Sequence, residues 1–170
     1  QIDASAVTGL ASDTAANIKT LLTAGNDTAQ FTGASFESLA TAVVSDTTLS
    51  GSELADAIDQ ANTATGGTGT VFTISAVDTI TGSEANFTDL LTDEGNSQIA
   101  ITAQNLTVNT GEVSVSTARA LSDTTTGTVT GTITSGTTIA AMLDSSSGLT
   151  DGADAYTITI AAGDAEATAT

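Results

Sequence analysis

The sequence predicts an α+β fold of mixed α/β character: a β-rich domain with short interleaved helices, built from degenerate strand-turn-helix repeats. Segments that alternate β-branched with small residues predict the strands, and apolar residues at helical spacing predict the helices between them. One phrase also occurs twice, since Ser5-Ala6-Val7 and Ser75-Ala76-Val77 each lead through a strand into a predicted helix. Such internal similarity indicates that one unit was duplicated and stacked.

The N-terminal part of the chain predicts two helices before residue 45. In residues 12–23 the apolar side chains recur at helical spacing, with Ser12 or Asp13 as the N-cap and Gly25 as the stop. A second helical stretch is predicted over residues 35–44. Together with the helix that follows, these segments make the N-terminal part the helix-richer one.

A third helix is predicted to begin at the Gly51-Ser52-Glu53 turn. Its apolar face contains Leu54, Ala57, Ile58 and Ala61. The helix frays into Gly66-Gly67-Thr68-Gly69, which is the best internal boundary because glycine breaks both helices and strands. We therefore expect residues 1–170 to form one repeat-built module, with a possible subdivision into a helix-richer part, 1–68, and a strand-richer part, 69–170.

The strand-richer part alternates β-branched and small residues, as half-buried strands do. Short helices are predicted between these strands at residues 83–91 and 137–143. The predicted strands are residues 71–74, 98–102, 106–109, 113–116, 128–134 and 156–160.

The composition predicts a light hydrophobic core and few kinds of chemistry. Four Phe, one Tyr and no Trp leave Ile, Leu, Val and Ala to fill the interior of this 170-residue chain. Without His or Cys, catalytic triads, thiol nucleophiles and most zinc sites are excluded. A paired-carboxylate glycosidase is compatible with the residue types, but sugar clefts are usually lined with aromatic rings. We therefore predict that the chain is not an enzyme.

The charge balance is strongly acidic, because twenty Asp and Glu residues face only Lys19 and Arg119, for a net charge of −18. Phosphate binding needs clustered cations, so nucleic acid is excluded as a partner and an anionic membrane surface is disfavoured. No apolar run approaches a membrane span, so no direct membrane insertion is expected. Cations that condense on the carboxylates would favour the compact state, and calcium or high salt is the obvious source.

Three phrases of the chain resemble the repeat regions of giant secreted surface proteins of bacteria, notably of cyanobacteria. They are residues 2–8 (IDASAVT), 43–48 (VVSDTT) and 155–160 (AYTITI). Those proteins are long arrays of Thr/Ala/Asp-rich units without cysteine, and the resemblance implies calcium-dependent adhesion, a cell-surface layer or a matrix. An extracellular location is expected, and the start at Gln1 without a basic signal segment is read as processing or excision.

Two loops concentrate oxygen ligands around a glycine: Thr92-Asp93-Glu94-Gly95-Asn96 and Thr150-Asp151-Gly152-Ala153-Asp154. Calcium takes six to eight oxygen ligands at variable geometry, so such loops are candidate calcium sites. The alternative is that these residues form ordinary turns. The candidate metal ligands are Asp93, Glu94, Asn96, Asp151 and Asp154.

Threonine recurs at every second position from Thr126 to Thr134. In a strand these side chains would line one face. Three interpretations are open: a solvated strand face, a regular surface that binds ice, and an edge strand that another subunit extends.

The predicted function is therefore an extracellular structural module, either the subunit of a surface or biofilm-matrix filament or layer, or a segment of a large adhesin. It would form homopolymers by stacking or strand exchange and be stabilised by cations. The alternative is a calcium-dependent adhesin module that binds a glycan or ice.

Overall fold

A computed structural model of the chain describes residues 4–26, 36–67, 69–146, 148–149 and 154–158. These residues form five helices and eight strands that alternate along the chain. The mixed α/β class predicted from the sequence is confirmed. The helices contain more residues than the strands.

The strands are short and the helices contain between one and four turns. The helices are α1 (Ala15–Gly25), α2 (Gly51–Thr65), α3 (Glu84–Gly95), α4 (Val115–Thr124) and α5 (Ile139–Met142). The strands are β1 (Gly9–Asp13), β2 (Thr41–Val44), β3 (Thr48–Ser50), β4 (Val71–Thr73), β5 (Thr79–Ser83), β6 (Asn105–Thr110), β7 (Val129–Thr132) and β8 (Ala155–Thr157).

The strands form two sheets in which every pairing is parallel. One sheet has the order β1-β2-β4, and the other has the order β3-β5-β6-β7-β8. In both sheets neighbouring strands follow the chain order. Parallel neighbours need a crossover connection, and the helices provide it. The result is a stack of layers in which α1 contacts α2, α2 contacts α3 and α3 contacts α4.

One continuous hydrophobic core lies between the sheets and the helices. The predicted apolar face of α2 is confirmed, because Leu54, Ala57, Ile58 and Ala61 are all fully buried. The core is light, as the composition predicts. Its largest fully buried side chains are Phe72, Phe87, Leu22, Leu39, Leu49, Leu54, Ile58, Ile80, Leu90, Ile101, Leu106 and Leu121.

The twice-occurring phrase has the same local structure in both places. Val7 N donates to Ala4 O and Val77 N donates to Ile74 O, each at 3.0 Å, and each turn leads into a strand and then a helix. The two strands nevertheless belong to different sheets, since β1 pairs with β2 and β5 pairs with β3 and β6. Duplication of one unit remains a prediction.

The start of α1 differs from the predicted N-cap. Thr14, not Ser12 or Asp13, is the N-cap, and its side chain accepts a hydrogen bond from Asn17 N. Asp13 ends β1, where its carbonyl accepts from Ser45 N at 2.9 Å. Because sheet pairing holds the backbone of Asp13 extended, the helix begins after it. Gly25, predicted as the stop of this helix, is instead the last residue of α1, and Asn26 is the C-cap.

Three predicted elements are wrong. Residues 35–44 were expected to be helical, but residues 36–38 form a turn and β2 follows, paired on both sides. Residues 98–102 contain no strand. In place of a strand at 113–116, Val113 makes one isolated bridge to Ile133, and Ser114 then caps α4, a helix that the sequence analysis missed.

The glycine segment after α2 marks the end of that helix. Gly66 is the C-cap in the left-handed conformation, with φ of 66°. Across this segment β2 pairs with β4 and β3 pairs with β5. Strands from both sides of residue 68 therefore lie in the same sheets.

Candidate functional site

The first predicted calcium loop is the end of a helix. Asp93 and Glu94 lie in the last turn of α3, and Asn96 is its C-cap. Each of the three side chains has a different environment. Asp93 is half-buried and lies near acidic residues, Glu94 Oε1 accepts a hydrogen bond from Ile101 N at 3.3 Å, and Asn96 lines an open pocket.

Negative charge concentrates where α3 packs beside α2. Burial, together with weaker repulsion from Asp59 on α2 and Asp89 on α3, raises the pKa of Asp93 to about 6. The two chain segments that meet here therefore repel each other at neutral pH. A bound or condensed cation would relieve that repulsion.

The pocket beside Asn96 is polar and occupies about 550 Å³, with Asn62, Gly67, Gly69 and Gln98 as its other lining residues. Two of its amides satisfy each other: Gln98 Nε2 donates to Asn62 Oδ1 at 2.6 Å, and Asn62 Nδ2 donates to Gln98 Oε1 at 3.4 Å. This pair joins the end of α2 to the segment after α3. The two amide groups therefore serve to hold this contact between the two segments.

The second predicted loop is only partly within the described residues. Asp151 lies outside them. Asp154 immediately precedes β8, and its Oδ1 accepts a hydrogen bond from Val129 N at 2.8 Å, while its Oδ2 is buried and accepts none. Asp154 thus aligns β8 against β7. Within the described ranges, no three Asp or Glu side chains come together as a group that could hold a metal ion.

Both basic side chains of the chain are engaged with its own acidic or carbonyl groups. Lys19 on α1 forms an ion pair with Asp56 on α2. Arg119 Nε lies 3.5 Å from Asp123 Oδ2, and its Nη1 donates to Gly148 O at 3.1 Å. Both cationic groups therefore contact groups of the chain itself.

Within the described residues four strands are paired on one side only: β1 and β4 in the three-stranded sheet, and β3 and β8 in the five-stranded sheet. Of these, β1 is the first strand of the stack in chain order and β8 is the last. Beside β1 lies a groove of about 350 Å³ whose lining includes Leu10, Ala11 and Leu21. Leu21 is 41% exposed although it is a large apolar side chain. At the other end Leu143 is 77% exposed and Ile158 is 43% exposed. Both ends of the stack therefore present apolar groups to solvent.

The alternating threonines are confirmed as one face for part of their length. Thr130 and Thr132 alternate in β7 with the buried Val129 and Gly131. Thr126 instead lies in a turn, where its hydroxyl donates to Thr102 O at 2.9 Å. The neighbouring strands also have small polar side chains on the same face, which the spacing of threonines within one strand does not predict.

No protein family, curated protein or solved structure shows significant similarity to the chain. None of the described helices combines the length and apolar character needed to cross a bilayer.

Asp93→Asn is expected to raise the free energy of unfolding at pH 7 by on the order of 1 kcal/mol, a value reduced for solvent screening. The pKa of Asp93 is about 6 in the folded protein and 3.8 in its ordinary state, so the folded state binds the proton more tightly. Stability of the unmodified chain should therefore fall as the pH rises from about 4 to about 7. Urea denaturation across this pH range measures the effect.

The matched control is Asp78→Asn, which removes the same charge at an exposed position. If it changes the pH dependence of stability as much as Asp93→Asn does, the effect comes from net charge and not from the contact between α2 and α3.

Proposed function

We propose that the chain is an extracellular structural module, the subunit of a surface or matrix filament or layer, or a segment of a large adhesin. It associates with copies of itself by extending its parallel sheets from one copy to the next. The observation that carries this proposal is that the first and the last strand of the stack, β1 and β8, are both edge strands of their sheets within the described residues.

The polarity of the strands supports a head-to-tail contact. β1 is an edge of the three-stranded sheet and β8 is an edge of the five-stranded sheet, and every pairing within the two sheets is parallel. A parallel pairing of β8 in one copy with β1 in another would therefore repeat the kind of pairing found within the chain. Unpaired edges are natural templates for strand addition. A contact between two different surfaces leaves one free surface at each end and so allows a chain of copies to grow.

The apolar groups at the two ends support the same contact. The groove beside β1 exposes Leu21 next to Leu10, and the opposite end exposes Leu143 and Ile158. Burying such side chains contributes about 25 cal/mol for each Å² of apolar surface removed from water. Association would therefore add hydrophobic burial to the backbone hydrogen bonds of the new strand pair.

Cations are the proposed regulators of this association. Copies with a net charge of −18 repel each other, and both basic side chains are already paired within the chain. Calcium is the proposed ion, and Asp93, Glu94, Asn96, Asp151 and Asp154 remain its proposed ligands. The proximity of Asp93 to Asp59 and Asp89 supports the first group, since these carboxylates add to burial in raising the pKa of Asp93 and a cation would offset their repulsion.

Ala11→Lys is expected to prevent assembly, because Ala11 is exposed on β1 and lysine on an edge strand blocks strand addition. The unmodified chain should form large homopolymers in calcium-containing buffer, and a chelator should disassemble them. Light scattering and electron microscopy measure both effects.

Ala85→Lys is the control, since it adds the same charge at an exposed position of α3, away from both ends of the stack. A chain that is strictly monomeric with and without calcium would contradict self-association. Assembly that is indifferent to the chelator would contradict the role of calcium alone.

A further inference from the structure

We propose that the outer face of the five-stranded sheet binds crystalline water, that is, an ice surface. We call this surface the hydroxyl face. It consists of the side chains that alternate with the buried residues of β3, β5, β6, β7 and β8. Its members are Thr48, Ser50, Thr79, Thr81, Asn105, Thr107, Asn109, Thr130, Thr132, Ala155 and Thr157, together with Thr128 just before β7.

The register of the strands arranges these side chains in rows. In one row Ser50, Thr81, Thr107, Thr130 and Ala155 lie directly beside one another on five successive strands. In the next row Thr48 pairs with Thr79 and Thr79 with Asn105, while Thr128 N donates to Asn105 Oδ1. A third row begins with Thr132 beside Thr157. The face is therefore a two-dimensional array and not a single threonine strand.

The residues between these positions hold the array against the core. Leu49, Ile80, Leu106 and Val129 are paired in register across the neighbouring strands β3, β5, β6 and β7, and each is at most 1% exposed. Because successive side chains of a strand point to opposite faces, these anchors orient the intervening threonines outward. β-Branched threonine also has few side-chain rotamers, so its hydroxyl and methyl groups are held in place before a ligand binds.

The threonine hydroxyls of the array are available to an external ligand. Thr81, Thr107 and Thr130 are partly exposed, and their hydroxyl groups make no hydrogen bond to the protein within the described residues. Each such group combines one donor and two acceptor positions with a neighbouring methyl group. An ordered water layer can use both the hydrogen-bonding groups and the spaces between the methyl groups.

The array is neutral in a strongly acidic chain. Twenty Asp and Glu residues occur in the sequence, but none occupies a position of the hydroxyl face. A face that bound calcium, or a glycan through calcium, would need carboxylate oxygens there. The absence of charge from these positions therefore favours a neutral, hydrogen-bonding ligand.

The spacing of the array agrees with that of tetrahedrally bonded water. With an O–H···O distance of about 2.75 Å and tetrahedral angles, oxygens that share one neighbour lie about 4.5 Å apart. Side chains in one row lie about 4.8 Å apart, because that is the distance between neighbouring strands. Successive rows lie about 6.6 Å apart, compared with about 7.4 Å for the layer repeat of the same lattice. Over two or three rows this difference remains smaller than one water molecule.

Thr107→Lys tests the proposal, since Thr107 lies on the middle strand of the sheet and lysine adds bulk and charge to the array. The unmodified chain should inhibit recrystallisation of ice and change the shape of growing ice crystals. The variant should lose potency by about tenfold or more. Thr130→Lys, on the neighbouring strand, should have the same effect, and circular dichroism checks that each variant is folded.

Thr73→Lys is the matched control, because Thr73 is an exposed threonine on β4 of the other sheet. It should retain activity, and so should Ala11→Lys, since the array lies within one chain and does not need assembly. A chelator should leave activity unchanged. The proposal is overturned if the unmodified chain has no effect on ice growth, if Thr73→Lys and Thr107→Lys lose activity equally, or if activity depends on calcium.

Discussion

Gly127→Ala is expected to lower the free energy of unfolding by about 3 kcal/mol, because the added methyl group has no room. An ideal Cβ at this position would lie 2.3 Å from Gln104 O, 2.6 Å from Gln104 C and 3.0 Å from Ala103 O. All three atoms belong to the backbone, so no side-chain rotation can relieve the clash. Urea denaturation followed by circular dichroism measures the loss.

Gly127 lies in the segment that joins α4 to β7, and this segment is hydrogen-bonded to the segment that joins α3 to β6. Thr125 Oγ1 donates to Gln104 O at 2.8 Å and accepts from Gly127 N at 3.0 Å. Gln104 Oε1 in turn accepts from Thr102 N at 2.9 Å. Thr125 and Gln104 are both buried. If the added methyl group pushed these hydrogen-bonded groups apart, they would lose partners that water could not easily replace.

The control for this prediction is Gly95→Ala at the end of α3. No atom lies within 4 Å of a Cβ at Gly95, and alanine is the better helix former. A gain of up to about 1 kcal/mol is expected there. If both substitutions destabilise the chain equally, the close approach at Gly127 is not the cause.

Phe87→Ala is expected to cost about 4 kcal/mol of unfolding free energy. Phe87 is fully buried, and it and Leu90 are the two buried residues of α3. The chain has only four Phe residues and no Trp, so few other side chains can fill the cavity left by the ring. The midpoint of urea denaturation should shift strongly to lower urea concentration. The packing of α3 against the sheets should also become weaker.

Thr88→Ala serves as the comparison, since Thr88 is the next residue on α3 and is exposed. Surface substitutions of this kind change stability by about 0.5 kcal/mol or less. A Phe87→Ala effect as small as that would show that α3 is held by its connections and not by its packing.

The elements that the sequence analysis predicted well are those whose signal is local. The face of α2 repeats Leu54, Ala57, Ile58 and Ala61 over about two turns, and the structure buries all four. The strand over residues 106–109 lies inside β6. In each case the period of the apolar residues agrees with the element that the core requires.

The errors occur where local signals compete. Residues 41–44 have helix-compatible neighbours, but Ala42 and Val44 are buried in alternation and β2 is paired on both sides. At Ser114 the cap begins α4, where Glu84 Oε1 also accepts from Ser114 N at 3.0 Å. That partner comes from thirty residues earlier, so no local pattern could identify it.

The candidate sites also combine features that are visible in the sequence with features that depend on tertiary contacts. The clustering of Asp93, Glu94 and Asn96 is visible in the sequence, but their placement at the end of α3 sends the three side chains to different surroundings. The repulsion between Asp93 and Asp59 depends on the packing of α2 against α3. Only the tertiary contact makes Asp93 distinct from the other acidic residues.

By itself the sequence determined the class of fold, the light core, the acidic surface and the lack of His and Cys, because these depend on composition and on local periodicity. The tertiary structure decided which strands share a sheet and in which register, and thereby turned an alternating threonine strand into the hydroxyl face. Register depends on how each strand packs its apolar residues against the common core, and that packing joins residues too distant in the chain for any local pattern to relate them.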